Sequence, residues 1–296
     1  PAGTINFNPE LYSAKLVEKF YKTTVFGEIA STDYEGEIVG FGAQVKIRTI
    51  PDVTVSDYVA GAGLNPQYPT NNSVTLAIDQ AKSFAVALST VDSRQSDLDL
   101  ADIFANDGSI QLRIAADADM LTTIPADVDS KNSGNTAGAD SGNINMGSST
   151  TPRTVSKTDV VDFIVDCGTV LDEQNVSDEG RWLVAPPWFI ALIKKSDLRI
   201  ASLAGDGVSI LRNGKVGEID RFTIYQSRNL LTQTSPGPAS YVMFGHSAGL
   251  TFASQIVECQ MIDNPNDFGY IIRGLMVFGY EVIGPKYVGT AVVAKG

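Results

Sequence analysis

The chain has 296 residues, of which 43% are hydrophobic and 19% are charged, and its formal net charge at pH 7 is −12. This length is sufficient to bury a large core, in one domain or in two interleaved ones. The acidic balance argues against a surface that reads DNA through clustered Lys and Arg side chains. The low charged fraction indicates that other protein covers much of the surface.

Signals for membranes, metals and cofactors are weak. The most apolar stretch, residues 182–193, contains Pro186 and Pro187 and is shorter than the roughly 18 residues that a membrane helix needs. The two cysteines, Cys167 and Cys259, lie far apart and offer no metal-ligand spacing, which favours a reduced intracellular setting. The N-terminus lacks the basic start and apolar core of a signal peptide. We therefore expect no membrane span, no metal and no cofactor.

The first 42 residues are expected to form an extended arm. Pro9 marks the start of a helix over residues 10–21, whose narrow apolar stripe suits docking better than a core position. A polar turn over residues 32–36 follows.

Two amphipathic strands with a long loop between them are predicted to form a second arm. Val45 and Ile47 alternate with polar residues, and the alternation resumes at Val74 and continues to Leu88. The loop between them, residues 56–72, is rich in Gly, Pro, Asn and Tyr and is too long for a tight hairpin turn. Because such strands cannot bury both faces against their own chain, we expect this arm to lie on a neighbouring subunit. The alternative is a hairpin folded back on its own domain.

Residues 96–124 are predicted to form a long helix around which the rest of the chain is organised. Ser96 can cap its start, Pro125 ends it, and Gly108 predicts a kink or a break. Spacings of three and four residues place one apolar stripe along the helix, made of Leu100, Ile103, Phe104, Ile110, Ile114, Ala118 and Leu121.

The segment that follows, residues 126–151, has almost no apolar residue and is predicted to be a flexible surface loop or an insertion. Asp127 and Asp129 have the spacing of a calcium loop. However, Lys131 and Asn132 occupy positions that need an acid or amide and a glycine, so calcium binding is not expected.

A second compact region begins near residue 153. Ser156 and Asp159 start a helix with an apolar face, residues 181–185 form a buried strand, and Pro187 opens a short helix. Residues 218–226 are predicted to be a strand, and from residue 241 onward the chain is nearly all strand. The predicted apolar face of the helix consists of Val160, Phe163, Ile164, Cys167, Val170 and Leu171. This order of elements is typical of an α+β protein.

Residues 245–249 match the nucleophile elbow of serine hydrolases, with Ser247 at its centre. That chemistry needs a histidine on another segment to accept the serine proton. The chain has one histidine, His246, directly beside Ser247. The segment after the elbow is also predicted to be a strand, whereas the motif requires a helix. We therefore expect no hydrolase, and no other acid–base constellation stands out.

Several segments carry a resemblance to one known family: residues 11–15, 32–36, 45–55, 76–82, 96–124, 181–186, 217–225, 268–269 and 274–280. Taken in order, they resemble the major capsid proteins of tailed bacteriophages, which have the Hong Kong ninety-seven shell fold. The resemblance implies an α+β protein with an N-terminal arm (1–42), an extended loop (43–92), a peripheral domain with a spine helix (93–152, including the insertion 126–151), an axial domain (153–248) and return strands of the peripheral domain (249–296).

By the same resemblance, the protein is expected to be structural rather than enzymatic. It would assemble with itself into hexamers and pentamers of an icosahedral shell around double-stranded DNA, in the host cytoplasm, and would become part of the virion. Expected partners are a separate scaffolding protein, a portal and a decoration protein. Because the arm begins within a few residues of Pro1, the scaffold is expected to be separate or already removed. The alternative is an encapsulin-like cellular compartment of the same fold.

The sequence departs from family members that cross-link covalently through the extended loop. No lysine lies between Lys46 and Lys82, so the tip of the loop is expected to hold its neighbour without a covalent bond. The residues predicted to make this subunit contact are Asp52, Asp57, Tyr58 and Tyr68.

Overall fold

The computed structural model describes residues 22, 24–33, 44–48, 53–55, 57, 66–68, 73–89, 100–196, 217–265 and 268–296. The predicted helix at 10–21, the Ser96 cap and most of the 56–72 loop lie outside these residues. No helix in the described part is long and apolar enough to cross a membrane.

The described elements alternate between helices and mainly antiparallel strands, which confirms the α+β prediction. The helices are α1 (Phe26–Ile29), α2 (Leu100–Thr123), α3 (Val160–Glu173) and α4 (Pro187–Lys195). The strands are β1 (Gln44–Arg48), β2 (Ser73–Ala77), β3 (Gln80–Ser89), β4 (Arg153–Val155), β5 (Arg181–Ala185), β6 (Glu218–Ile219), β7 (Phe222–Gln226), β8 (Thr232–Gln233), β9 (Ala239–His246), β10 (Leu250–Asp263), β11 (Gly269–Val282) and β12 (Val288–Lys295). They form a β1–β2 ribbon, a β10–β11–β3 sheet, and a larger sheet ordered β4–β12–β9–β5–β7–β6 with β8 beside β9.

The long helix α2 packs on the β10–β11–β3 sheet, but not with the predicted face. Its fully packed side consists of Leu112, Ala116, Met120 and Leu121, whereas Ile110 and Ile114 are only half-buried. Only Leu121 was in the predicted stripe. The prediction rests on spacing alone, and spacing does not show which of two apolar sides of a helix packs against the rest of the chain. The break predicted at Gly108 is also wrong, because α2 continues through that residue.

The β1–β2 ribbon was predicted to lie on a neighbour, but its base packs on its own sheet. Val45 pairs with Leu76, and Ile47 pairs with Val74. The buried side chains of Val45, Ile47, Leu76 and Ile78 form one cluster with Ala253 and Val277. For this part of the arm, the alternative of a hairpin folded back on its own domain therefore describes the structure.

The larger sheet carries α3 and α4 and encloses a separate core. All six predicted apolar residues of α3 are fully buried, which confirms that helix and its orientation. Residues 218–226 are not a single strand, however. They form the hairpin of β6 and β7, with Asp220 (φ 47°) and Arg221 (φ 65°) in left-handed conformations at its turn. The sequence did not reveal this turn because neither residue is a glycine.

The prediction of a flexible surface loop or insertion at residues 126–151 is not what the structure shows. Short 3₁₀ turns occupy 124–126 and 130–132, and Asn132, Ala137 and Met146 are buried. Asn132 Nδ2 donates to the carbonyls of Lys286 (2.7 Å) and Val288 (3.0 Å). Polar side chains and backbone groups fix this segment onto β12, so its low apolar content was misleading.

Candidate assembly surfaces

The outer part of the arm exposes large apolar side chains. Val53, Val55 and Tyr68 are 71%, 92% and 88% exposed. The side-chain amide of Gln67 ties the two limbs together, since its Nε2 donates to the Thr54 carbonyl (2.6 Å) and its Oε1 accepts from the Thr54 N–H (3.1 Å). Scattered exposed apolar residues are ordinary, but several on one slender arm are typical of a surface that another protein covers.

Of the four predicted contact residues, the structure describes two. Asp57 and Tyr68 are both exposed, as a subunit contact requires, while Asp52 and Tyr58 lie outside the described residues. The role of these four residues in a subunit contact stays a prediction. Val53 and Val55 were missed, although both belong to the segment 52–55 that carried the family resemblance.

The two faces of the β1–β2 ribbon differ in character. Val45 and Ile47 point into the core, whereas Gln44, Lys46 and Arg48 are exposed. The residues paired with Lys46 and Arg48 are Thr75 and Ser73, which are uncharged. This alternation follows from the period of two along a strand, and it gives the ribbon a cationic outer face.

A recess at the base of the arm has the opposite charge. It has a volume of about 220 Å³ and is lined by Asp79, Asp127 and Glu281, together with Tyr280 and Thr123. Burial raises the pKa of Glu281, and the charges of Asp127 and Asp79 raise it further. The carboxylates therefore lie close enough to repel one another.

Asp117 ties three segments of the chain together and was not identified from the sequence. It is buried on α2, and its Oδ1 accepts from the N–H groups of Val25 (2.8 Å) and Phe26 (3.0 Å) at the start of α1. Its Oδ2 accepts from Asn229 Nδ2 at 2.7 Å. Burial raises the pKa of Asp117, and these hydrogen bonds offset that effect only in part. The one available sequence signal was a carboxylate at an apolar helix position.

Arg181 organises the other end of the larger sheet. Its buried guanidinium donates to Asp172 (2.7 Å), to Asp178 (3.2 Å) and to three carbonyls, among them that of Val176 at 2.6 Å. Arg221, from the β6–β7 turn, binds the same two carboxylates at 2.9 and 2.7 Å. Partial burial raises the pKa of Asp172, but the two arginines outweigh it, so this pKa lies below its usual value. The network fixes the turn that the sequence did not predict.

The elbow-like motif has no hydrolase geometry. His246 ends β9, and its Nδ1 accepts a hydrogen bond from the N–H of Ala248 at 3.0 Å. Ser247 lies in a 3₁₀ turn that leads directly into strand β10, so the predicted strand after the motif is confirmed. The imidazole therefore binds the turn backbone.

Comparisons with known proteins agree on one family. Residues 73–293 match the family model described as phage capsid protein. A structure from Mycobacterium phage Che8 is 25% identical, covers 98% of each chain and has a TM-score of 0.76. The capsid of the cyanophage P-SCSP1u is 14% identical, with a TM-score of 0.73 over 100% of this chain and 96% of that one. The mature capsid of bacteriophage PhiM1 is 16% identical, with a TM-score of 0.66 over 99% and 94%.

The sequence identities to the P-SCSP1u and PhiM1 capsids are 14% and 16%, so these two similarities show the fold alone. No curated protein matches the sequence. The family match covers most of the chain and favours a virus shell over a cellular compartment of the same fold. The chain therefore belongs to the phage capsid protein family and is a structural major capsid protein of the tailed-phage type, a component of the virion capsid.

Proposed function

We propose that this major capsid protein assembles into the hexamers and pentamers of a closed icosahedral shell that encloses double-stranded DNA. The observation that carries the proposal is the family match over residues 73–293, which begins at β2 of the arm base and includes the spine helix α2 and nearly all of the two larger sheets. Assembly takes place in the host cytoplasm with a separate scaffolding protein, and a portal and a decoration protein complete the particle.

The arm is the part of each subunit that holds its neighbour. Its base is fixed on its own sheet by Val45, Ile47, Leu76 and Ile78, while Val53, Val55 and Tyr68 extend into solvent. Burying those side chains on a second subunit removes apolar area from water at about 25 cal/mol per Å². Asp52, Asp57, Tyr58 and Tyr68 are the residues proposed to make the contact. Each contact is weak, but a closed shell repeats it in every subunit.

The packaged DNA is held by enclosure rather than by sequence-specific contacts. A net charge of −12 gives a chain that repels phosphate overall, so DNA can move past the wall during packaging and ejection. Specific readout would instead need clustered cations directed at the bases.

Cryo-electron microscopy of purified particles tests this proposal. The expected result is closed shells with five- and six-fold clusters of the chain, filled with DNA when they are isolated from infected cells. A protein that yields only monomers or small oligomers under every assembly condition, with its scaffold supplied, would contradict it.

A further inference from the structure

The cationic outer face of the ribbon has no counter-charge among the residues that the structure describes. Lys46 and Arg48 are two residues apart on β1 and lie on the same exposed side. Their cross-strand partners are Thr75 and Ser73, and no ion pair joins either cation to a carboxylate in the part of the chain that the structure describes. The Val45 and Ile47 face is already buried, so the cationic face is the side of the ribbon that remains to be covered.

The acidic recess has an excess of negative charge. Asp79, Asp127 and Glu281 line it, and the nearby cation, Lys82, is directed to Asp119 at 3.6 Å. Within the described ranges, no group of three or more His, Cys, Asp or Glu side chains is arranged to hold a metal ion. A cationic side chain of another molecule is therefore the counter-charge that suits this recess.

We propose that Lys46 and Arg48 of one subunit bind the recess formed by Asp79, Asp127 and Glu281 of a second copy of the chain. This inference rests on the proposed shell function and specifies one of its subunit contacts. Because both halves lie on the same chain, every subunit supplies one cationic face and one recess, so the contact repeats throughout the shell. Between copies that each carry a charge of −12, it also replaces a repulsion with an attraction.

The register of β1 and β2 separates the cationic face from the acidic recess within one subunit. Ala77, which lines the recess, pairs with Gln44, while Lys46 and Arg48 pair with residues progressively further out along the arm. Lys46 and Arg48 thus lie further out along the ribbon than the recess, on its exposed face.

Paired charge reversals test this contact and distinguish two subunits from one. Variant A is Lys46→Glu with Arg48→Glu, and variant B is Asp127→Lys with Glu281→Lys. Each variant alone places like charges against each other, and we expect about a tenfold or greater loss of closed particles on sedimentation, with unchanged circular dichroism. A 1:1 mixture of A and B restores opposite charges across each A–B contact. We expect it to form mixed particles, and raising the salt concentration should dissociate them.

The matched control is Lys157→Glu with Lys295→Glu, which changes the charge of exposed residues by the same amount outside the ribbon. We expect this control to assemble like the wild type. If both variant A and the wild type form normal particles, the proposed contact is contradicted but the proposed shell function is not. Assembly of a combined A-plus-B chain, but not of the mixture, would place the ion pairs within one subunit and also overturn the contact. Wild-type protein that forms no particles would overturn the proposed function, and this contact with it.

Discussion

The ring of Phe84 on β3 lies so close to Gly108 on α2 that a Cβ at residue 108 would come within 2.5 Å of the ring. Gly274, the cross-strand partner of Phe84 on β11, contacts the same ring from the sheet side. The aromatic ring thus fills the space left by two glycines, one on the helix and one on the sheet. This contact explains why a residue with poor helix propensity lies inside the longest helix.

Gly108→Ala should therefore destabilise the subunit even though alanine favours helices. Overpacking against Phe84 costs about 1–3 kcal/mol, and the gain in helix propensity returns about 1 kcal/mol. We expect a net loss of up to about 2 kcal/mol in denaturant unfolding of the unassembled protein. Gly27→Ala in α1 is the matched control, since nothing lies within 4 Å of its added Cβ, and it should be neutral or stabilising. Equal effects of the two substitutions would contradict this packing.

The buried carboxyl of Asp117 should make the free energy of unfolding of the subunit depend on pH. This carboxyl has a folded-state pKa above the ordinary value of 3.8, because burial favours the neutral form. The folded state therefore binds the proton more tightly than the unfolded state, and the stability contribution of Asp117 falls as the pH rises from 3.8 through the folded pKa. Asp117→Asn should remove this component. The measurement is urea unfolding of both proteins across that pH range, and parallel stability curves would show that Asp117 is not the titrating group.

Arg181→Met should be much more damaging than Arg221→Met. Arg181 is buried, and its loss leaves the carbonyls of Ser177 and Val176 without their donor, at a cost of about 3 kcal/mol. Arg221 is 39% exposed, so solvent screens its ion pairs and its removal should cost less than about 1 kcal/mol. Thermal unfolding of the two variants compares them directly. A larger loss for Arg221 would show that the β6–β7 turn, rather than the buried guanidinium, controls stability.

The two apolar sides of α2 can be separated by substitution. Met120 is fully buried, so Met120→Asp places a carboxylate in the core and should prevent folding, at a cost of at least several kcal/mol. Ile114 is half-buried, so Ile114→Asp should give a folded subunit that assembles poorly. Circular dichroism reports folding and sedimentation reports assembly. Normal particles from Ile114→Asp would show that this side of the helix is not a contact surface.

Removal of the arm tip tests its role as a clamp. Replacing residues 56–72 with a short glycine-containing turn leaves the Val45, Ile47, Leu76 and Ile78 cluster intact, so the monomer should fold. Stable shells should be lost, because the deletion removes Tyr68 and also the Gln67 side chain that bonds Thr54 between Val53 and Val55. Intact particles of normal stability would contradict the clamp, and an unfolded monomer would show that the tip belongs to its own domain.

The elements that the sequence predicted well are those with only one apolar side that can face the core. Helix α3 has one apolar face, and Val160, Phe163, Cys167 and Leu171 on that face are all buried. The strand β1 has a period of two, so Val45 and Ile47 had to share a side. In both elements the local pattern alone determines which side meets the core.

The failures have a common physical origin in contacts distant along the chain. The side of α2 that contains Gly108 packs on Phe84, which also packs on Gly274. No spacing within the helix can reveal this contact. Asn132 is buried because carbonyls more than 150 residues away accept its amide protons. The left-handed Asp220–Arg221 turn depends on Asp172 and Asp178. The acidic recess likewise combines residues 79, 127 and 281, which are far apart in the sequence.

The continuity of β2 into β3 has a mechanical consequence. Only Ile78 and Asp79 separate the two strands, and β3 is bonded to β11 from the Gly269–Ser89 pair to the Phe278–Gln80 pair. A tensile force applied to the arm and directed along β3 therefore loads the β3–β11 hydrogen bonds in shear. All of these hydrogen bonds resist the force together instead of opening one after another. Internal pressure that pulls subunits apart through their arms would thus be borne by the whole β3–β11 ladder of the β10–β11–β3 sheet.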